Sequence, residues 1–353
     1  MLVTGACGFV GRHLVRSLLE DTGEVWLVDD LSTGLHPDRW LPPLVAGSEG
    51  AGSNPRIYER GGTKVVFFEA DVVTLLGPEV GVGAGGTDPI AWPTFAQAYH
   101  LASIVGGRKK IEEEPLQVGL DLAIDSIFFL WAWRSRRVER ILYASSSAAY
   151  PVGLQTEDGA VALQESSIDF RRQRVGMPDM TYGWSKLTGE FLTYLVAERH
   201  GIPACSIRPF SGYGEDQDPS YPIPAIAARA AAREDPLVVW GTGHQGRDFV
   251  HIDDCIAAMR LAAATIGDGS GLNIGSGRLT TFLEVAHTFA GLAGYEPEVR
   301  GTNSGPVGVH HRYADIAETE RRLGWRPSVS LKEGFARVLG AQEERIRATA
   351  GVD

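Results

Sequence analysis

The chain predicts an α/β fold, a doubly wound parallel sheet with a smaller mixed α/β cap, and three observations lead there. Met1–Asp30 reads strand, glycine-spaced turn, amphipathic helix, strand. Further apolar strands at Lys64–Phe68, Tyr99–Ala102, Arg140–Ala144 and Pro203–Ile207 alternate with helical stretches, the pattern of parallel βαβ units. Beyond Arg208 the elements shorten, and proline and glycine punctuate them.

The opening unit carries the first chemistry. Leu2 and Val3 run into Gly5, Gly8 and Gly11, and the helix that follows puts Val10, Leu14 and Leu18 on one face. A second strand, Val25–Val28, ends at Asp29 and Asp30. Gly5 lets the chain turn off the strand, Gly8 lets backbone N–H groups approach a pyrophosphate, and Gly11 lets the helix lie close to the sheet. The helix N-terminus offers unpaired N–H groups and a positive dipole end to phosphates. Asp29 stands where an acid holds the ribose hydroxyls of a dinucleotide, and a carboxylate there repels a 2′-phosphate. The expectation is NAD rather than NADP. A glycine-rich turn alone is weak evidence, but this one has a strand before it, a helix after it and a terminal acid.

Composition sets the bounds. With 353 residues, 44% hydrophobic and 22% charged, the chain can bury a large core as one domain or two closely joined ones. A formal charge of −11 argues against a nucleic-acid surface but leaves room for a locally bound anion. Cys7, Cys205 and Cys255 follow no metal spacing and read as reduced thiols of a cytoplasmic protein. No signal peptide is expected, because the first strand begins at once, and no apolar run suggests a membrane span.

Along the chain, the stretch from Leu31 to Gly62 reads as irregular, a flexible lid or a surface excursion. A second glycine-rich insert lies at Gly77–Gly86, and residues 77–93 have no assigned role. Leu116–Arg137 reads as one long helix, apolar on more than one side, and Thr181–His200 as another. By Arg208 the sheet is expected to be complete. The expected division is a dinucleotide domain over 1–210, to which the chain returns around 241–264, and a substrate cap over 211–353. The cap strands would include Leu237–Trp240, Asp248–Ile252 and Leu272–Ile274. The ligand would lie outside the carboxyl ends of the strands, with the cap closing over it.

The decisive constellation is Ser145-Ser146-Ser147 after the fifth strand, with Tyr182 and Lys186 opening the next helix. Tyr182 and Lys186 are four apart, so they project from one face. A free tyrosine, with a pKa of ~10, is a poor base at neutral pH. A nearby ammonium and an oxidised nicotinamide favour the phenolate, and a serine hydroxyl across the site can bond the same substrate oxygen. These parts can take a proton from a carbinol while its hydride leaves.

Together, the Gly-x-x-Gly-x-x-Gly spacing and the Tyr-x-x-x-Lys pair resemble the extended short-chain dehydrogenase/reductase superfamily, in particular its NAD-dependent nucleotide-sugar epimerases and dehydratases. The resemblance runs from Gly5 to Pro327. It includes Arg208-Pro-Phe-Ser-Gly-Tyr-Gly214, Gly241–Asp254, Leu272–Gly277, Ala314-Asp315 and Leu323–Pro327. It implies that Gly5, Gly8, Phe9, Val10, Gly11, Asp29, Asp30, Asp71, Val72, Leu101, Ala102, Ser103, Tyr182, Lys186 and Pro209 hold NAD. It selects Ser146, four before Tyr150, as the catalytic hydroxyl beside Tyr182 and Lys186. It implies a substrate site from Gly106, Ser146, Ser147, Tyr182, Ser211, Arg247 and Arg312, with Arg247 gripping the diphosphate of a nucleotide sugar. It also implies a homodimer built on the two long helices, whose spare apolar residues would be Phe128, Phe129, Trp131, Trp133, Phe191, Tyr194 and Leu195.

The departures from the family pattern are informative. Ser211 and Asp121 stand about where asparagine is usual, and His310 where many relatives have an arginine, with Arg312 two residues on. The segment before Tyr182 carries Arg171, Arg172 and Arg174, read equally as a solvated loop or as part of a site for an unusual substrate. Dehydratases place Asp-Glu after the catalytic hydroxyl, whereas here Ser147 and Ala148 follow Ser146. Decarboxylating relatives keep a glutamate at the position of Ala148. Plant-type GDP-mannose 3,5-epimerases have a cysteine there and a lysine near Ser220, and this chain has no lysine between Lys186 and Lys332. The expected reaction is C4 epimerisation. A 3,5-epimerase, a dehydratase, a net dehydrogenase or reductase, and a non-catalytic binding protein are the alternatives.

Overall fold

The computed structural model describes residues 1–41, 45–46, 55–60, 62–83, 90–104, 106–305 and 307–350. Eight strands carry the main sheet: β1 (Leu2–Thr4), β2 (Glu24–Asp29), β3 (Arg56–Arg60), β4 (Thr63–Glu69), β5 (Ala98–His100), β6 (Ile141–Ala144), β7 (Ala204–Pro209) and β8 (Asp268–Ile274). Their order is β8-β7-β6-β5-β1-β2-β4-β3, with Val45–Ala46 as a two-residue edge beyond β3. The run from β8 to β4 is parallel throughout, and β3 returns antiparallel. Strand order reverses at β1, which pairs with β2 on one side and β5 on the other. The crevice beyond the ends of β1 and β5 is where such a sheet takes its ligand.

Helices cover both faces. On one, α1 (Phe9–Leu18) buries Leu14, Val15 and Leu18 against Val3, Val25 and Leu27, and α4 (Ile252–Thr265) adds Cys255, Ile256 and Met259 to the same core. On the other, α2 (Asp121–Ser135) and α3 (Met180–His200) pack Phe128, Trp131 and Val196 against Val66, Phe68 and Tyr143. Helices Pro222–Ala231, Phe282–Leu292 and Leu331–Ala350 build a separate core around Phe249, Phe289 and Phe335.

Four readings of the sequence need correction. The sheet is not complete at Arg208: β8, of which Leu272–Ile274 was assigned to the cap, is its seventh parallel strand. The glycines of Asp268-Gly-Ser-Gly-Leu-Asn-Ile hide its strand character, yet Gly271 is required, because a Cβ there would lie 2.8 Å from the Arg208 guanidinium. Secondly, the stretch from Leu31 to Gly62 is not wholly irregular. Arg56–Arg60 is strand, and Tyr58 donates to Asp38 at 2.8 Å, tying down the Pro37–Arg39 turn. Residues 42–44, 47–54 and 61, and 84–89 of the second insert, lie outside the described residues. The described part of that insert supplies Glu79, which accepts the indole N–H groups of Trp92 (2.6 Å) and Trp131 (3.1 Å).

Thirdly, Leu116–Arg137 is two helices, Pro115–Val118 and α2, joined through Gly119 and Leu120, which stay in the right-handed region. Pro115–Ser135 is long and apolar enough by composition to pass for a membrane span, but half of its most apolar window is buried inside the protein. Its second part, α2, packs against the sheet through Ile124, Ile127, Phe128 and Trp131. Finally, Phe128, Phe129 and Trp131 are not spare, since all three sit in the interior. The large apolar residues that these helices and their lead-in leave exposed are Leu116, 90% exposed, Leu120, 56%, Leu122 of α2, and Trp184 and Phe191 of α3.

Candidate active site

Steric necessity shapes the glycine turn. Gly5 has φ +68°, and a Cβ there would lie 2.6 Å from the backbone nitrogen of Ala102. A Cβ on Gly11 would meet the Gly5 carbonyl at 2.2 Å. Gly8 differs: its nearest neighbour would be the Gly5 carbonyl at 3.5 Å, so the space in front of it is open. Gly8 caps α1 without a side-chain bond, which leaves the first-turn N–H groups for a phosphate. Asp29 is nearly buried and accepts the N–H groups of Cys7 and Leu31, each at 2.8 Å. Burial raises its pKa, and those N–H groups draw it back. This cradle fits a dinucleotide. Asp29→Ala should weaken NAD about tenfold or more, one charge-assisted hydrogen bond's worth, and narrow the gap to NADP. Fluorescence titration measures both, and equal NAD and NADP affinities in the parent protein would contradict the role of Asp29.

The other cofactor candidates sit around this turn. Phe9 meets His13 edge-on at 5.4 Å, and Val10 packs against the α1 core. Asp30 is exposed and accepts the N–H of Ser32 at 3.0 Å. Asp71 caps the helix Val72–Leu76 through the N–H of Thr74, while the side chain of Val72 is in the core. Leu101 and Ala102 donate to the Thr4 carbonyl and hydroxyl. Ser103 and the N–H of Ile104 donate to the buried Asp121 at 2.7 and 2.6 Å, so the departure at Asp121 holds the loop after β5. Pro209 ends β7, Gly106 precedes the helix Arg108–Glu113, and Val105 lies outside the described residues.

Tyr182 and Lys186 lie in the first turns of α3. Lys186 is buried, its Nζ 5.7 Å from the Tyr182 ring centre and 5.3 Å from that of Tyr143. Burial works against the ammonium, but Tyr182, Asp121 and Asp125 outweigh it and raise its pKa above the ordinary lysine value. Lys186 therefore stays charged beside the phenol. Behind it, Tyr143 donates to Asp125 at 2.7 Å, and Asp125 contacts His100, which in turn contacts Thr4.

The serine turn is held against this helix. Ser146 Oγ accepts the N–H of Ala148 at 3.1 Å, and the Ala148 carbonyl accepts the N–H of Asp179 at 3.0 Å. Gly183 is essential to that contact, since a Cβ would stand 2.4 Å from the Ala148 oxygen. Ser147 is buried within the turn. Ser145 points away and donates to Glu190.

Arg247 and Arg312 are in register on paired parallel strands. Arg247 donates to the carbonyls of Gly246, Val307 and His310, and meets no carboxylate among the described residues. Burial and the neighbouring Arg312 lower its pKa to about 9. Asp248 does not pair with it; it is buried and accepts from Ser276, Gly277 and the N–H of Ala314. Ser211 lies alongside, donating its N–H to the Asp248 carbonyl at 2.8 Å. Arg312 donates to Gln155 and, at 2.8 Å, to Asp179.

Sequence reasoning missed three neighbours. Arg108 donates to both carboxylate oxygens of Asp179 at 2.8 Å, and Tyr221 is a phenol whose hydroxyl burial pushes up to about 12. Asp179 itself is the third. The only sequence signals were position: Arg108 follows Gly106-Gly107, and Asp179 precedes Tyr182 by three. Conversely, Arg171 and Arg172 do not reach this cleft. Arg171 pairs with Glu198 and lies over the Tyr194 ring, twelve residues down α3 from Tyr182, and Arg172 stands beside Asp169.

Comparison with known proteins follows this geometry. Residues 1–44 and 94–275 match the model of the NAD dependent epimerase/dehydratase family. A putative UDP-glucose 4-epimerase of Methanocaldococcus jannaschii is 27% identical over 98% of this chain and 99% of its own length. The GDP-mannose 3,5-epimerase 1 of Oryza sativa is 29% identical over 72% of this chain and 67% of its own. The UDP-glucose 4-epimerase of Thermus thermophilus, solved in complex with NAD, shares the fold with a TM-score of 0.74 at 23% identity, covering 97% of this chain and 98% of that one. The glycine cradle, the Tyr182–Lys186 pair and the family match agree: the chain is an NAD-dependent member of the epimerase/dehydratase family.

Proposed function

We propose that the protein is an epimerase that inverts C4 of a nucleotide-diphosphate sugar, with NAD retained and recycled. The observation that carries this reading is that the Tyr182–Lys186 pair opens the helix capped by Asp179, which Arg108 and Arg312 both hold, with no acid at the two positions after Ser146. Arg312 donates at 2.8 Å to Asp179, which precedes Tyr182 by three, so a diphosphate on the arginines would bring the attached sugar to the start of α3, where Tyr182 lies. NAD, held by the glycine turn and Asp29, would supply the hydride acceptor and donor for C4. Tyr182 takes the C4 hydroxyl proton and later gives it back, Lys186 keeps the phenolate accessible, and Ser146 orients the same oxygen. Ser147 and Ala148 cannot remove a carbon-bound proton, and Tyr221, with its raised pKa, is a poor base.

A second reading, 3,5-epimerisation, has the Oryza relative in its favour and would need a base that His310 could supply; His310 faces His311 and Glu157. The test is a panel of UDP-, dTDP- and GDP-sugars incubated with protein to which no NAD has been added. NMR should show one sugar converted to its C4 epimer without net NADH.

We also propose a homodimer through Leu116, Leu120, Leu122, Trp184 and Phe191, the large apolar residues exposed on and before the two long helices. Light scattering at micromolar concentration should give twice the chain mass, and a monomer would refute the pairing.

A further inference from the structure

Arg247 and Arg312 stand in register on paired strands, and Arg312 and Arg108 share one nearly buried carboxylate, Asp179, where the diphosphate is proposed to sit. Arg108 holds both its oxygens with Nη1, and Arg312 holds Oδ2 with Nη2, all at 2.8 Å. Arg108 also reaches the exposed Glu112 at 2.6 Å and contacts the Met180 sulfur at 3.6 Å. Asp179 is held on its backbone side too, donating to the Ala148 carbonyl and accepting the N–H of Gly183. Met180, the next residue, has φ +53°, a left-handed conformation rarely taken by a long side chain. A carboxylate locked between two arginines makes the charge-assisted contacts that a phosphoryl group would make with them.

We propose that Asp179 is an internal counter-anion that stands in for the substrate's diphosphate on Arg108 and Arg312, so that a nucleotide diphosphate binds by exchanging with it, and that Arg108 is a third diphosphate ligand beside Arg247 and Arg312. This rests on the reading of the cleft as a nucleotide-diphosphate site. The carboxylate keeps the arginines neutralised and aimed in the absence of ligand, and the exchange sets the affinity for the incoming anion. Because Asp179 is three residues before Tyr182, the exchange takes place at the first turn of the catalytic helix.

The opposite signs of two substitutions test this. UDP, dTDP and GDP are titrated calorimetrically into the wild type, Asp179→Asn and Arg108→Gln, with thermal melting to establish that each variant is folded. Asp179→Asn should bind the preferred nucleotide about tenfold more tightly, roughly one charged hydrogen bond's worth, and Arg108→Gln about tenfold more weakly. A purely structural Asp179 predicts unchanged or weaker binding in Asp179→Asn, and that result overturns the exchange. Unchanged binding in Arg108→Gln removes Arg108 from the site. If Asp179→Asn fails to fold, Asp179→Ser, which also removes the carboxylate, takes its place, with tighter nucleotide binding expected and unchanged or weaker binding overturning the exchange. A wild type that binds none of the three nucleotides overturns the diphosphate-site reading itself, and this inference with it.

Discussion

Tyr182→Phe should lower turnover at least ~10²-fold, the lower end for general acid–base catalysis, while nucleotide-sugar affinity stays close to that of the parent. The ring remains and still faces Lys186, so packing at the start of α3 is preserved, and only the proposed acceptor of the C4 hydroxyl proton is lost. Lys186 cannot replace it, because its pKa is held above the ordinary lysine value and the ammonium has no lone pair to offer. Steady-state rates together with nucleotide titration separate the two quantities. Near-normal turnover would assign the proton to another group, and a parallel loss of affinity would mean that the phenol also holds the sugar in the ground state.

The largest expected loss of stability lies just behind the serine turn. Glu190 and Arg208 are both almost wholly buried, and the carboxylate takes Arg208 Nε at 2.9 Å and Nη2 at 2.6 Å. The same carboxylate accepts the Ser145 hydroxyl, while Arg208 donates to Tyr150 at 2.9 Å and Tyr150 to Asn273 at 2.7 Å. Glu190→Ala leaves a guanidinium buried without its partner, and should cost about 3–5 kcal/mol in urea unfolding. Since Ser145 adjoins Ser146, the folded fraction should also lose activity. A cost below about 1 kcal/mol, in the range of an ordinary substitution, would show that water or a neighbour satisfies Arg208.

The legible parts of the sequence were those fixed by local rules. The glycine turn could be read because Gly5 and Gly11 answer to contacts between the turn and its neighbours, which any dinucleotide cradle of this shape repeats. Tyr182 and Lys186 could be read because a four-residue spacing decides which face they share. What could not be read depended on distant partners. In strand β8 Gly271 answers to the crossing Arg208 and Gly269 to the Tyr194 backbone, and nothing local in Asp268–Ile274 announces either neighbour. Arg56–Arg60 was hidden among prolines and glycines, and its strand character rests on pairing with Thr63–Glu69. Arg108 and Asp179 are 71 positions apart and meet only through the tertiary fold, so neither drew notice by spacing. The same limit misassigned Phe128, Phe129 and Trp131 to a dimer face, because an apolar helix does not say which of its sides the sheet will take.

The central claim is that the reaction moves a hydride at C4 and no carbon-bound proton. Converting the accepted nucleotide sugar in D₂O and reading the product by NMR and mass spectrometry tests it most directly. A base acting at C3 or C5 would exchange its proton with solvent and leave deuterium on carbon, whereas Tyr182 exchanges only the proton on the C4 oxygen. The expected product is a C4-inverted sugar with no deuterium on any carbon. Label at C3 or C5, or a 4-keto-6-deoxy product, would contradict it.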